Sequence, residues 1–77
     1  MNKQRRNTLN KIIERLQELE QEIDDVLQEE QDCFDNMPEG FQNGERGENM
    51  QNAIGELETA IEQIEDCIDS LTTATEY

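Results

Sequence analysis

Apolar residues in the first half of the chain recur at alternating intervals of three and four residues. The series is Leu9, Ile12, Leu16, Leu19, Ile23, Val26, Glu30, Cys33 and Met37, in which only Glu30 is charged. Such spacing predicts an amphipathic helix from about residue 5 to about residue 36, with a narrow heptad seam along one face. Ile13, Leu27 and Phe34 each follow a seam position and widen the apolar stripe.

The second half of the chain repeats this pattern. Its apolar series is Met50, Ile54, Leu57, Ile61, Ile64, Ile68 and Leu71. Ala53, Ala60 and Cys67 each precede an isoleucine of the series, and small side chains let a neighbouring helix come close on that flank. The pattern predicts a second helix from about residue 44 to about residue 73, followed by a frayed tail at residues 74–77.

The segment between the two periodic regions has the composition of a turn, about residues 37–43. Pro38 lacks an amide hydrogen and disfavours helical backbone at the residue before it. Gly40 and Gly44 permit a positive φ, and residues 38–41 could alternatively form one short turn of helix. Asn43 has the side chain of a good N-cap for the second helix.

Two helices of about 30 residues with a short connection are expected to fold back antiparallel. The predicted fold is therefore all-α, an antiparallel two-helix hairpin of coiled-coil type that forms a single domain over residues 1–77. The apolar stripe of the first helix is wider than one partner helix requires, which indicates a second contact. That contact is either a second copy, giving a four-helix bundle, or a different protein.

Charge is distributed unevenly along the chain. There are 20 acidic and 6 basic residues, for a formal net charge of −14. Residues 1–15 hold five of the basic residues and one acid, so they carry +4, whereas residues 16–77 carry −18. Such a surface repels nucleic acid and anionic membranes and attracts basic protein surfaces; the alternative is that it serves only solubility. The acids predicted to contact a partner are Glu18, Glu22, Asp25, Glu29, Asp32, Glu58, Glu62 and Glu65.

The cysteines and the absence of long apolar runs bear on location. No apolar run exceeds two residues, so neither a membrane span nor a secretory signal is predicted, and the expected location is the cytoplasm of a bacterial host. Cys33 and Cys67 are then expected to be reduced. They lie too far apart along the hairpin to form a disulfide, and both are predicted to face the seam as small apolar side chains.

Little in the composition favours catalysis. The chain has no histidine and one serine, Ser70, and a two-helix rod has no cleft in which paired carboxylates acquire shifted pKa values. The acids near the turn do not follow the calcium-loop pattern. We therefore expect a protein that is not an enzyme and that has no catalytic residues, cofactor or metal.

Four apolar residues cluster around the predicted turn: Phe34, Met37, Phe41 and Met50. They either close the end of the hairpin as a small core or form an apolar tip that binds a partner, because aromatic residues and methionine are enriched at interfaces.

The string from Phe34 to Met50, FDNMPEGFQNGERGENM, resembles a pattern in small acidic proteins of Firmicutes phages, prophages and mobile elements. In those proteins an aromatic-Asp-Asn-Leu-Pro-Glu turn precedes Ser-Glu-Arg-Gly-Glu and a Glu-rich helix. The similarity covers about residues 14–71. This chain departs from it at Met37, Gly40 and Gly44, where Leu, Ser and Ser are usual. The resemblance implies a mobile-element origin and carries no defined activity.

Two functions are compatible with these features. The first is a non-enzymatic, phage-encoded inhibitor that occupies the basic groove of a host nucleic-acid-binding protein, as a DNA mimic of the anti-restriction or anti-CRISPR type. The second is a structural or adaptor protein that self-associates into a four-helix bundle, with acids that only keep it soluble.

Overall fold

The computed structural model describes all residues from 1 to 77 and contains three helices and no strand. These are α1 (Lys3–Asp35), α2 (Glu39–Gln42) and α3 (Glu45–Ala74). The two long helices pack along each other in a rod of 58 × 15 × 12 Å. The prediction of an all-helical chain built on one long helix pair is confirmed.

The first helix begins two residues earlier than its apolar pattern indicates. The side chain of Asn2 accepts a hydrogen bond of 2.8 Å from the amide of Arg5 and so provides the N-cap. At the other end α1 stops at Asp35, and the amide of Asn36 donates back to the carbonyl of Asp32 at 3.1 Å.

The connection contains one short helix, α2, close to the helical turn that residues 38–41 could form. The carbonyl of Pro38 accepts from the amides of Phe41 and Gln42 at 2.8 and 3.1 Å, which closes one turn of α2. No residue has a positive φ, so the freedom expected from Gly40 and Gly44 is not used. The N-cap prediction is wrong: Asn43 is the C-cap of α2, and the N-cap of α3 is Gly44, which has no side chain to cap it.

The long helices run antiparallel. The N-terminal ammonium of Met1 donates to the main-chain oxygen of Tyr77 at 2.9 Å, which places the two ends of the chain side by side. Further along the rod, Ile23 of α1 lines one groove together with Leu57 and Ile64 of α3.

The seam of α3 is the predicted one, but that of α1 is displaced by one residue at alternate positions. Only Ile13, Leu27 and Ile54 among the apolar side chains are buried. Ile12, Leu19, Val26 and Cys33, which spacing assigns to the seam, are exposed. The positions that take their place are Ile13, Glu20, Leu27 and Phe34.

The displacement has a simple geometric cause. The steps from Leu9 to Leu16 satisfy the spacing rule equally well through Ile12 or through Ile13. The apolar arc of α1 is therefore wider than one helix covers, and α3 lies over the side that contains Ile13 and Leu27.

No helix has both the length and the apolar character needed to cross a bilayer.

Candidate functional site

One flank of α1 carries an apolar row that the hairpin leaves uncovered. This exposed row consists of Ile12, Leu19, Val26 and Cys33, spaced seven residues apart. Val26 exposes 52% of its surface, Ile12 43% and Leu19 40%. A row with heptad spacing presents one straight ridge to a neighbouring helix, because seven residues are close to two helical turns.

The exposed row borders a groove between α1 and α3 of about 390 Å³. Its lining consists of Leu19, Glu22, Ile23, Val26, Leu57 and Ile64. Only Glu22 among these six is polar. We call this the apolar groove, and its composition is that of a surface that gains free energy when a second apolar surface covers it.

A row of small residues lies on α3 beside the same groove. Ile61 faces the opposite side of the hairpin, whereas Leu57 and Ile64 face the apolar groove. Ala60 precedes Ile61 by one residue, a rotation of about 100°, and so lies beyond Leu57 on the side of the apolar groove. The small row consists of Ala53, Ala60, Cys67 and Ala74, of which the first and third are exposed and the others half-buried.

The opposite side of the hairpin is polar. The groove there is lined by Gln17, Glu20, Gln21, Asp24, Ile61 and Glu65. A side-chain hydrogen bond with Glu65 raises the pKa of Glu20, and desolvation and the charges of Glu65 and Asp24 act in the same direction. The two long faces of the rod therefore differ in kind, one apolar and one acidic.

All eight acids predicted to contact a partner are exposed, but they do not form one patch. Five of them follow a spacing of four and three along α1, which puts them on its outer face: Glu18, Glu22, Asp25, Glu29 and Asp32. Glu58, Glu62 and Glu65 lie on α3, where Glu65 lines the polar groove. We call the five acids of α1 the acidic stripe.

The apolar tip is only partly assembled. Phe34, Met37 and Met50 are half-buried, whereas Phe41 on α2 exposes 63% of its surface. A small cavity there is lined by Asn36, Met37, Pro38, Phe41 and Arg46. Arg46 is the single basic residue of the segment 16–77, so the tip is where the acidic body has its one positive side chain.

Both cysteines are exposed free thiols, so their assignment to the seam is wrong. Cys33 belongs to the exposed row and Cys67 to the small row, because each lies on the flank that faces the apolar groove and not between the helices. No group of three carboxylate or thiol side chains is placed to hold a metal ion.

Sequence reasoning missed two further features. Gly47 is buried because the backbone of Gln42 lies against it, and a glycine in the first turn of a helix gives no periodic signal. The second feature is Glu20, which occupies no position of the seam that spacing predicts. The sequence does contain a signal for Glu20. It lies four residues after Leu16 and three residues before Ile23, which is the spacing of a position on the apolar face.

Comparison with known proteins identifies no relative from which a function could be transferred: no protein-family model, curated protein or solved structure matches the chain.

Proposed function

We propose that this chain is a non-enzymatic structural or adaptor protein that self-associates through its apolar groove into a four-helix bundle, with most of its acids turned to solvent. The observation that carries the proposal is the exposed row of α1. Four apolar positions at intervals of seven residues stay outside the hairpin, beside a groove with a single polar lining residue.

The core of one hairpin is thin, which gives self-association a physical reason. Three apolar side chains are buried, and no side chain is fully buried. Small folds of this size are often stabilised by oligomerisation. A second hairpin that covered the apolar groove would bury the exposed row, and burial contributes about 25 cal/mol for each Å² of apolar surface removed from water.

Sedimentation equilibrium at about 100 µM tests this proposal, because association depends on concentration by mass action. The wild type is expected to be dimeric, and the double variant Leu19→Glu/Val26→Glu is expected to be monomeric. The double variant Gln21→Glu/Gln28→Glu is a matched control, because it adds the same charge on the opposite, polar flank of α1. A monomeric wild type contradicts the proposal, as does an equal response of both variants.

A second function is supported by the acidic stripe. We propose that this outer face of α1 binds the basic, nucleic-acid-binding groove of a host protein and so inhibits it, in the manner of an anti-restriction or anti-CRISPR DNA mimic. The five carboxylates of the stripe are exposed on one helix face and span about 20 Å at 1.5 Å per residue. The resemblance of the turn string to proteins of phages and mobile elements agrees with the phage origin in this proposal and carries no activity.

Affinity capture from a bacterial lysate at low salt, with a repeat at about 0.5 M salt, tests the inhibitor function, because salt screens exposed charges. The stripe variant changes Glu18, Asp25, Glu29 and Asp32 to their amides; the control changes Glu56, Asp66, Asp69 and Glu76 in the same way. Inhibition predicts that nucleic-acid-binding proteins are retained by the wild type and the control, and are lost from the stripe variant and at high salt. Retention that is indifferent to the stripe or to salt contradicts it.

A further inference from the structure

The exposed row and the small row have their midpoints at the same level of the hairpin. The exposed row extends from Ile12 to Cys33, so its midpoint lies next to Ile23. The small row extends from Ala53 to Ala74, so its midpoint lies next to Ile64. Ile23 and Ile64 line the same apolar groove. A two-fold axis that crosses the groove at this level would therefore place each row opposite the same row of a second copy, with the two rows running in opposite directions.

We infer that two copies associate face to face about this axis, with α1 antiparallel to α1 of the second copy and α3 antiparallel to α3. This inference rests on the proposed self-association and adds its geometry. In this arrangement Leu19 lies opposite Val26 of the second copy, and Ile12 lies opposite Cys33. On the other helix, Ala60 lies opposite Cys67 of the second copy.

Packing is consistent with this geometry. Small side chains at intervals of seven residues let the two α3 helices approach closely, because none of them holds the backbones apart. The larger side chains of the exposed row separate the two α1 helices further and fill the space between them. Each pair therefore has matching partners along about 32 Å, the length of 21 residues of helix.

Charge selects the antiparallel direction. Reversal about the axis places the basic start of one copy, residues 1–15, at the acidic turn end of the other, residues 30–44, where α1 stops at Asp35 and the connection follows. The first segment carries +4, and the second carries −4, because it contains four acids and no base. The same match occurs twice in the dimer. A dimer with parallel α1 helices instead brings the basic starts together and the acidic turn ends together, which is unfavourable for exposed charges of one sign.

Disulfide cross-linking tests the geometry with the two native cysteines. In a Cys33→Ser parent the remaining Cys67 residues of the two copies lie about 10 Å apart along α3, beyond the distance of about 7 Å between Cα atoms that a disulfide tolerates. Addition of Ala60→Cys places a thiol opposite Cys67 of the second copy. Within one chain positions 60 and 67 are also about 10 Å apart, so a bridge between them has to join two copies.

A second pair probes the other interface. In a Cys67→Ser parent the Cys33 residues of the two copies are about 32 Å apart, and addition of Ile12→Cys supplies a thiol opposite Cys33 of the second copy. Mild oxidation is followed by non-reducing electrophoresis and by mass spectrometry of the linked peptides. We expect dimer bands that join position 60 to 67 and position 12 to 33, and no dimer band from either parent.

The outcomes separate the geometry from the proposed self-association. A parent that cross-links through Cys67 to Cys67 or Cys33 to Cys33 overturns the antiparallel arrangement, although the protein is a dimer. The same holds if neither added cysteine cross-links in a protein that sediments as a dimer. If the wild type sediments as a monomer, the self-association itself is wrong, and the geometry falls with it.

Discussion

The backbone of Gln42 lies directly against Gly47, at the point where the short helix α2 meets the start of α3. A methyl group placed on Gly47 would collide with the carbonyl of Gln42 and would come within 2.7 Å of its Cα atom. The side chain of Gln42 donates to the carbonyl of Phe34 at 2.9 Å, near the end of α1. One residue of the connection therefore contacts both long helices, and glycine at position 47 makes this possible.

Gly47→Ala is expected to destabilise the hairpin by about 1–3 kcal/mol, because a backbone collision costs more than the gain of about 1 kcal/mol in helix propensity. Gly55→Ala is the matched control. Nothing lies within 4 Å of a methyl group at Gly55, so this change is expected to stabilise the protein by about 0.5–1 kcal/mol. Thermal unfolding followed by circular dichroism measures both. Equal stabilisation by the two changes would show that α2 does not pack on α3.

Gln42→Glu is expected to loosen the end of α1. The carboxylate cannot donate to the carbonyl of Phe34, so the hydrogen bond is lost and two acceptors face each other, at a cost of about 1–2 kcal/mol. Gln51→Glu makes the same charge change at an exposed position of α3 and is expected to alter stability by less than about 0.5 kcal/mol. Urea unfolding at constant ionic strength compares them; similar midpoints for the two variants would contradict a stabilising role for the hydrogen bond between Gln42 and Phe34.

Much of the helix pair could be predicted from spacing alone, since period and turn composition both describe local properties. Ile54 and Leu57 lie where the α3 pattern puts them. Which side of α1 faces α3 could not be predicted in this way, because Ile12 and Ile13 satisfy the same spacing rule. Only the position of α3 distinguishes them, and that depends on contacts between residues that are far apart in sequence.

The candidate site was affected by the same ambiguity. Spacing assigns Leu19 and Val26 to the seam and therefore does not predict the apolar groove that they border. The indication that survives is the surplus width of the apolar stripe, which predicted a second contact without showing where it lies. The close approach at Gly47 also depends on tertiary packing, because it is set by where α2 crosses α3.

Leu27→Ala and Val26→Ala test which of these two adjacent residues lies in the seam between α1 and α3. Leu27 is buried at 7% exposure and Val26 is 52% exposed, although both are adjacent apolar residues of one helix. Leu27→Ala is expected to cost about 2–4 kcal/mol, whereas Val26→Ala costs less than about 1 kcal/mol when unfolding is measured in dilute, monomeric protein. Val26→Ala is instead expected to weaken dimerisation. If Val26→Ala lowered the free energy of unfolding of the monomer more than Leu27→Ala does, Val26 and not Leu27 would lie in the seam, as spacing alone predicts.

Glu20→Gln is expected to stabilise the hairpin at neutral pH. The hydrogen bond with Glu65 raises the pKa of Glu20, aided by desolvation and by the charges of Glu65 and Asp24, so the folded chain binds a proton more tightly than the unfolded chain. By linkage, stability is then greatest below the ordinary glutamate range and falls as the pH rises through the raised pKa.

Glutamine at position 20 can donate to Glu65 without taking up a proton, so the variant should keep its melting temperature across that pH window, whereas the wild type loses stability. Glu18→Gln removes the same charge from the outer face of α1, away from α3, and controls for net charge. Melting curves from about pH 4 to pH 8 measure the difference. If Glu18→Gln flattened the pH dependence as much as Glu20→Gln, overall charge and not the contact between Glu20 and Glu65 would be its source.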